Sequence, residues 1–210
     1  LYATGMNAHE IEREMQAMDW DDLFQDAPSR AERSFRRKRD DDLYTIKARV
    51  GFNDGKIEVP LAYVRGQKFD LVLNRLTLPV VDVKNFDRLP IPYRAVAADL
   101  ETGKEVVLGR GSLAKSVRAS MAVPAAFDPV EIDGRLLVDG GIANNVPVSV
   151  ARGMGADVLI VVDVGSGLFK REEMTTALDV TGQLAGFLFT LNTEEQLKTL
   201  GPRDVLMRPP

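Results

Sequence analysis

The stretch Asp157-Val158-Leu159-Ile160-Val161-Val162-Asp163-Val164 constrains the fold more than any other part of the 210 residues. It is too short for a helix, shows no polar–apolar alternation and is mostly β-branched, which predicts a strand buried on both faces. Helical text lies on either side. Pro147 suits the first turn of a helix running to Met154, with Gly153 and Gly155 to end it. Residues 172–200 read as largely helical with a break near Asn192, and residues 204–208 as a last strand. Strands alternating with helices indicate an α/β layer fold with a mainly parallel central sheet flanked by helices. The length suits one domain over residues 1–210.

The first half is punctuated differently. Asn7 and Glu10 form a capping box ahead of Ile11, Met15 and Met18, predicting a helix over 8–18. Residues 20–34 mix Asp, Pro and Ser and read as loop. The basic run at 33–39 meets Asp40-Asp41-Asp42 at once. It therefore reads as a solvated stretch neutralised by its own acids rather than a patch for anionic lipid headgroups. Residues 44–50 and 56–59 read as strands about a turn at 53–55. Residues 66–78 read as a helix with Phe69, Leu73 and Leu76 on one face, ended by Pro79. Two hairpins follow, 93–100 with 104–108 and 129–132 with 135–138, the second across Asp133-Gly134. A short helix from 112 to 123 lies between them.

Composition removes several functions. With 27 basic and 31 acidic side chains the net charge is −4, which argues against a nucleic-acid binder. The absence of cysteine excludes a disulfide scaffold, a thiolate zinc site and a cysteine nucleophile. His9 stands alone among Glu10, Glu12 and Glu14, so no metal site is expected, and these residues hold no histidine for a Ser-His-Asp triad beyond it. No apolar stretch approaches the roughly 20 residues of a membrane span. The opening text Leu1-Tyr2-Ala3-Thr4-Gly5 does not resemble a signal peptide and reads as the end of a helix already under way. Gly109-Arg110-Gly111-Ser112-Leu113-Ala114 fits the dinucleotide-binding spacing. A hairpin strand before it and a helix of little more than three turns after it make the match weak, and no cofactor is expected.

The chemistry points to Asp139. It ends a predicted strand, where α/β sheets present functional groups. Gly140 and Gly141 follow, which permit positive φ and remove side chains that would block a close approach. A carboxylate so placed can accept a proton from a neighbouring hydroxyl. Spacing alone fits equally well a tight turn capped by an aspartate.

Asp139-Gly140-Gly141, the preceding Ser120-x-Ala122-x-Pro124-x-x-Phe127 and the following Asn145-x-Pro147 together resemble the patatin-like phospholipases. The text from Leu89 to Leu100 and the strand ending at Asp163-Val164-Gly165 are similar as well, so the resemblance runs along essentially the whole chain. It implies a three-layer α/β domain, incomplete at its N-terminus. It also implies a serine within Gly-x-Ser-x-Gly that attacks an acyl carbonyl, with the aspartate of Asp-Gly-Gly, here Asp139, as the other half of a catalytic dyad. A glycine-rich loop near the family's N-terminus supplies the oxyanion hole. Residues 1–210 contain no Gly-x-Ser-x-Gly, so the nucleophile is expected just before Leu1. Ser120 and Ser166 lack the elbow spacing. Ala125 stands where many relatives have glycine.

By the same resemblance the substrate is a phospholipid or other acyl lipid, with peripheral membrane contact allowed and no metal or cofactor. Bacterial relatives are cytosolic, secreted or outer-membrane associated, which leaves location open. The alternative reading is a non-catalytic lipid-binding or regulatory module, and a nucleotide-binding domain ranks third.

Overall fold

The computed structural model describes residues 1–24, 34–36, 39, 51–53, 56–58, 66–165 and 167–209. Residues 25–33 of the expected loop, the strand expected at 44–50, Arg37 and Lys38 of the basic run, and Ser166 lie outside these residues. A 3-10 turn at Tyr2–Thr4 is closed by Gly5 at φ 98°, a left-handed cap. Helix α1 (Ala8–Gln16) starts at the capping box of Asn7 and Glu10. Helix α2 (Trp20–Leu23) corrects the start of the expected loop at 20–34, because Asp19 accepts from the Asp22 N–H and caps it, and Leu23 is buried. Strands β1 (Gly51–Asn53) and β2 (Lys56–Glu58) pair antiparallel. Helix α3 (Gln67–Thr77) buries Phe69 and Leu76, the apolar face its spacing foretold.

Strands β3 (Ala95–Asp99) and β4 (Glu105–Leu108) form the first expected hairpin. Helix α4 (Leu113–Ser120), capped by Ser112, leads to the second, β5 (Val130–Ile132) and β6 (Arg135–Asp139). Asp133 at φ 51° and Gly134 at φ 74° make the two-residue turn that matches strand twist. The four strands lie in the order β4-β3-β6-β5, every neighbour antiparallel. The expectation of a mainly parallel central sheet is thus wrong for this sheet. Short connections can join only antiparallel neighbours, whereas parallel ones need a long crossover.

That crossover occurs further on. Helices α5 (Gly141–Asn144) and α6 (Val148–Gly153) precede β7 (Ile160–Val162). The 21-residue α7 (Ala177–Leu197) then carries the chain to β8 (Val205–Met207), which pairs parallel with β7 in a separate two-stranded sheet. The chain is α/β, but β7 is not the strand buried on both faces. Ile160 is 69% exposed and Val162 48%, while Leu159 and Val161 pack against Val148.

Among the described residues the strand covered on both sides is the alanine-rich β3, whose Ala95, Val96, Ala97 and Ala98 are all buried. Ala95 and Ala97 share a core with Ala119 of α4, Leu108 and Leu137. Side chains this small let a helix approach the sheet closely, which a search for bulky β-branched text overlooks.

An ion pair with one enclosed partner ties the second sheet to α6. Asp204 is almost wholly enclosed, accepts from the N–H groups of Leu159 (2.8 Å) and Gly201 (2.6 Å), and meets Arg152. These donors hold its carboxyl below the usual range, the backbone N–H groups acting first and Arg152 after them.

Between α4 and β5 the chain turns so that Phe127 enters the core, edge-on to Phe69 at 5.4 Å with the Arg118 guanidinium 4.8 Å from its ring centre. This turn places Ala125 at φ 67°. An alanine there holds its Cβ in the left-handed region, which costs about 1–2 kcal/mol of backbone strain. Glycine's extra unfolded-state freedom, about 0.5–1 kcal/mol, offsets only part of this. Ala125→Gly should raise the unfolding free energy by up to about 1 kcal/mol in a urea titration. A clear fall would show that the strain is absent.

Candidate active site

Asp139 is the last residue of β6 and pairs with Ala97 of β3. Its N–H donates to the Ala122 carbonyl at 2.9 Å, and the Gly140 N–H donates to that of Ser120 at 3.4 Å. The end of α4 and the turn after it are thereby stitched to the end of the strand. Ser120 takes part through its backbone, as the last residue of α4.

The two glycines are required for space, which corrects half of their expected role. Gly140 has φ −65°, and Gly141 is not among the residues of positive φ. A Cβ on Gly140 would lie 2.2 Å from the carbonyl oxygen of Val96 in β3. One on Gly141 would lie 2.7 Å from Asn145 Oδ1 and 2.9 Å from the Phe189 ring. The backbone of β3 and a ring on α7 thus fill the room that any larger residue would take.

Gly141 opens α5, a four-residue helix that the sequence reading missed. Its N–H donates to Asp139 Oδ1 at 2.8 Å. Asp139 is half-buried, and burial pushes its carboxyl above the ordinary aspartate value against the opposing pull of the Gly141 N–H. The result is a carboxylate of increased basicity, with one oxygen fixed and part of the group still accessible.

Three asparagines anchor α5. Asn144, buried, donates from Nδ2 to Glu105 and to Ser149 Oγ (3.2 Å). Asn145 Nδ2 donates to Thr193 Oγ1 at 3.0 Å. Asn192 Nδ2 donates to the Gly141 and Ile142 carbonyls at 3.2 and 2.6 Å. The expected break at Asn192 is absent, because α7 runs through it and the side chain serves a neighbouring helix instead. The pattern Asn144-Asn145 with Asn192-Thr193 was the available signal, but it cannot be paired without knowing that α5 meets α7.

The remaining sequence candidates stay apart. His9 is exposed on α1. Among the described residues no group of three or more acidic or histidine side chains is arranged to hold a metal. Gly111, at φ 99°, and Ser112 form the cap of an eight-residue helix that follows an antiparallel hairpin, not the parallel βαβ unit a dinucleotide requires.

Two cavities flank the segment that stitches Asp139. One, of about 290 Å³, is almost wholly apolar and is lined by Met15, Trp20, Phe69, Leu73 and Met121 among others. The second, of about 680 Å³, is bounded by Val123, Asn145, Phe169, Phe189 and Arg208. Asp139 lines neither, but Met121 and Val123 bracket Ala122, whose carbonyl it meets.

The family model for patatin-like phospholipase matches residues 1–152. The chain belongs to the patatin-like phospholipase family. An NTE family protein of Mycobacterium bovis is 49% identical over 78 residues, 37% of this chain and 22% of that protein. Patatin-like phospholipase domain-containing protein 7 of Mus musculus is 44% identical over 85 residues, 40% of this chain and 6% of that protein. Protein 6 of the same name from Homo sapiens is 41% identical over 95 residues, 44% of this chain and 7% of that protein. The chain thus spans less than a quarter of the length of these relatives. The patatin-like match ends within α6, so α7, which supplies Asn192 and Thr193, lies beyond it.

Gly140→Ala should destabilise the patatin-like domain by about 3 kcal/mol or more, since a backbone carbonyl cannot move aside as a side-chain end can. A loss below about 1 kcal/mol in chemical unfolding would contradict the close approach.

A second expectation concerns pH. Because the folded-state value of Asp139 is raised, its contribution to stability is present in acid and lost as pH rises through that value. Asp139→Asn should therefore be more stable than the parent at neutral pH, with the gain vanishing below about pH 3.9. Equal stability of the two proteins at neutral pH would remove the burial effect.

Proposed function

We propose that the whole protein hydrolyses carboxylic ester bonds of phospholipids or other acyl lipids, with Asp139 as the proton acceptor for a serine carried on a segment preceding Leu1. The serine oxygen attacks the acyl carbonyl as its proton passes to Asp139. Collapse of the tetrahedral intermediate expels the alcohol, which takes up that proton, and leaves an acyl-enzyme. Asp139 then accepts a proton from the water that attacks the acyl-enzyme, and returns it to the departing serine oxygen. Backbone N–H groups on a preceding glycine-rich segment hold the oxyanion, each worth roughly 3–4 kcal/mol.

The observation that carries this reading is the state of Asp139. It is fixed at one oxygen by Gly141 and raised in basicity by burial. A purely structural turn aspartate gains nothing from a raised pKa. The apolar cavity lined in part by Met121 supports an acyl-chain substrate. Family membership supports lipid hydrolysis as the chemistry.

Residues 1–210 alone should show no turnover of a p-nitrophenyl ester. The protein extended through its preceding segment should show turnover and accept a fluorophosphonate at one serine. Asp139→Ala and Asp139→Asn in that longer protein should lower kcat by about a thousandfold or more, as loss of both general-base steps requires. Near-parent turnover in either variant would remove Asp139 from the mechanism. No labelled serine in a folded longer protein would favour a non-catalytic lipid-binding module.

A further inference from the structure

We propose that Asn192, on helix α7 and beyond the residues the family model matches, is a positioning residue that holds Gly141 in place to donate its N–H to Asp139. The inference rests on Asp139 being the functional carboxylate, but its test reads the ionisation of Asp139 whether or not that group is catalytic.

The contact has a fixed sense. Both partners of the Asn192 side chain are carbonyl oxygens, Gly141 O at 3.2 Å and Ile142 O at 2.6 Å. Only a hydrogen-bond donor can meet them, so the amide must present Nδ2 to α5, and a carboxylate or apolar side chain at 192 could not replace it.

The contact also acts where α5 is weakest. Four residues cannot sustain a helix by their own hydrogen bonds, because nucleation alone requires several fixed dihedrals for each bond gained. The last four carbonyls of a helix have no partner within it, and in a helix of four residues that is all of them. Asn192 satisfies two. It thereby fixes the carbonyl side of Gly141, the residue whose N–H grips Asp139 Oδ1 at 2.8 Å.

On the other side of Gly141, the Val96 carbonyl beside Gly140 leaves no room for the turn to drift towards β3. The Asp139–Gly141 bond is therefore set between a wall on β3 and a hook on α7. No charged side chain sets the state of Asp139, which burial raises and the Gly141 N–H alone pulls back down. Losing the grip of that N–H should move its ionisation in one direction.

Thr193 provides the control. It lies next to Asn192 on the same helix and binds Asn145, one residue past α5, at 3.0 Å. Thr193→Val removes a comparable tether without touching either carbonyl. Asn192→Gln keeps an amide donor on a longer arm, and Asn192→Leu keeps bulk without a donor.

The experiment is an NMR pH titration of the 210-residue chain, following the Asp139 carboxyl carbon and the Gly141 amide proton. In the parent both signals should report one midpoint, because the amide donates to the ionising group. Asn192→Ala and Asn192→Leu should shift the Asp139 midpoint upward and shrink the Gly141 amide excursion by at least half. Asn192→Gln should restore much of that excursion. Thr193→Val should lower thermal stability by a similar amount yet leave midpoint and excursion unchanged. An unmoved Asp139 midpoint in folded Asn192→Leu would overturn the proposal. Equal shifts in Thr193→Val would also overturn it, since general loosening of α5 would then explain the effect. If Asn192→Ala fails to fold, Asn192→Leu and Asn192→Gln decide the question.

Discussion

The structure around the candidate site depends on one close approach, that of the Gly140 backbone to the Val96 carbonyl. Strand β6 must end flush against β3 for Asp139 to pair with Ala97. The chain must then turn at once into α5 for Gly141 to reach back to the carboxylate. Both conditions require that nothing project from residue 140. The alanines of β3 act to the same end from within the sheet, since small side chains let Ala119 and the end of α4 come close enough for the Ala122 and Ser120 carbonyls to receive the Asp139 and Gly140 N–H groups.

The energetics of the site oppose one another. Burial of Asp139 favours the neutral acid, while the Gly141 N–H favours the carboxylate. Buried Asp204 shows the other outcome, with two backbone N–H groups and Arg152 gathered around it and its carboxyl held low. The two aspartates differ in donors rather than in burial alone. A carboxylate surrounded by donors is a structural fastener, whereas one held by a single N–H keeps the basicity that proton transfer needs.

Much of the local structure could be read from the sequence because it is encoded locally. The capping box at Asn7, the Asp133-Gly134 turn and the apolar face of α3 each depend on residues a few positions apart. What failed was non-local. The run at 157–164 is strongly strand-forming, but whether it is central depends on what covers it. Here, among the described residues, the alanine strand β3, unremarked by its composition, is the one buried on both faces. Sheet direction was misjudged because alternation of strands and helices in the second half was extended to a first half built from hairpins. At the site, Asp139, Gly140 and Gly141 were singled out from sequence. The reason for the glycines, and the roles of Asn192 and Thr193, depend on contacts with β3 and α7 that no local pattern records.

The central claim is that Asp139 stands within proton-transfer reach of a hydroxyl on the segment preceding Leu1. A crystal structure of the longer protein, trapped as its fluorophosphonate adduct, tests it directly. The account predicts an Asp139 carboxylate oxygen about 2.6–3.2 Å from the modified serine oxygen, or joined to it through one water, with the Gly141 N–H still bound to the other oxygen. An adducted serine with Asp139 turned away from it, and another base in contact, would contradict the account.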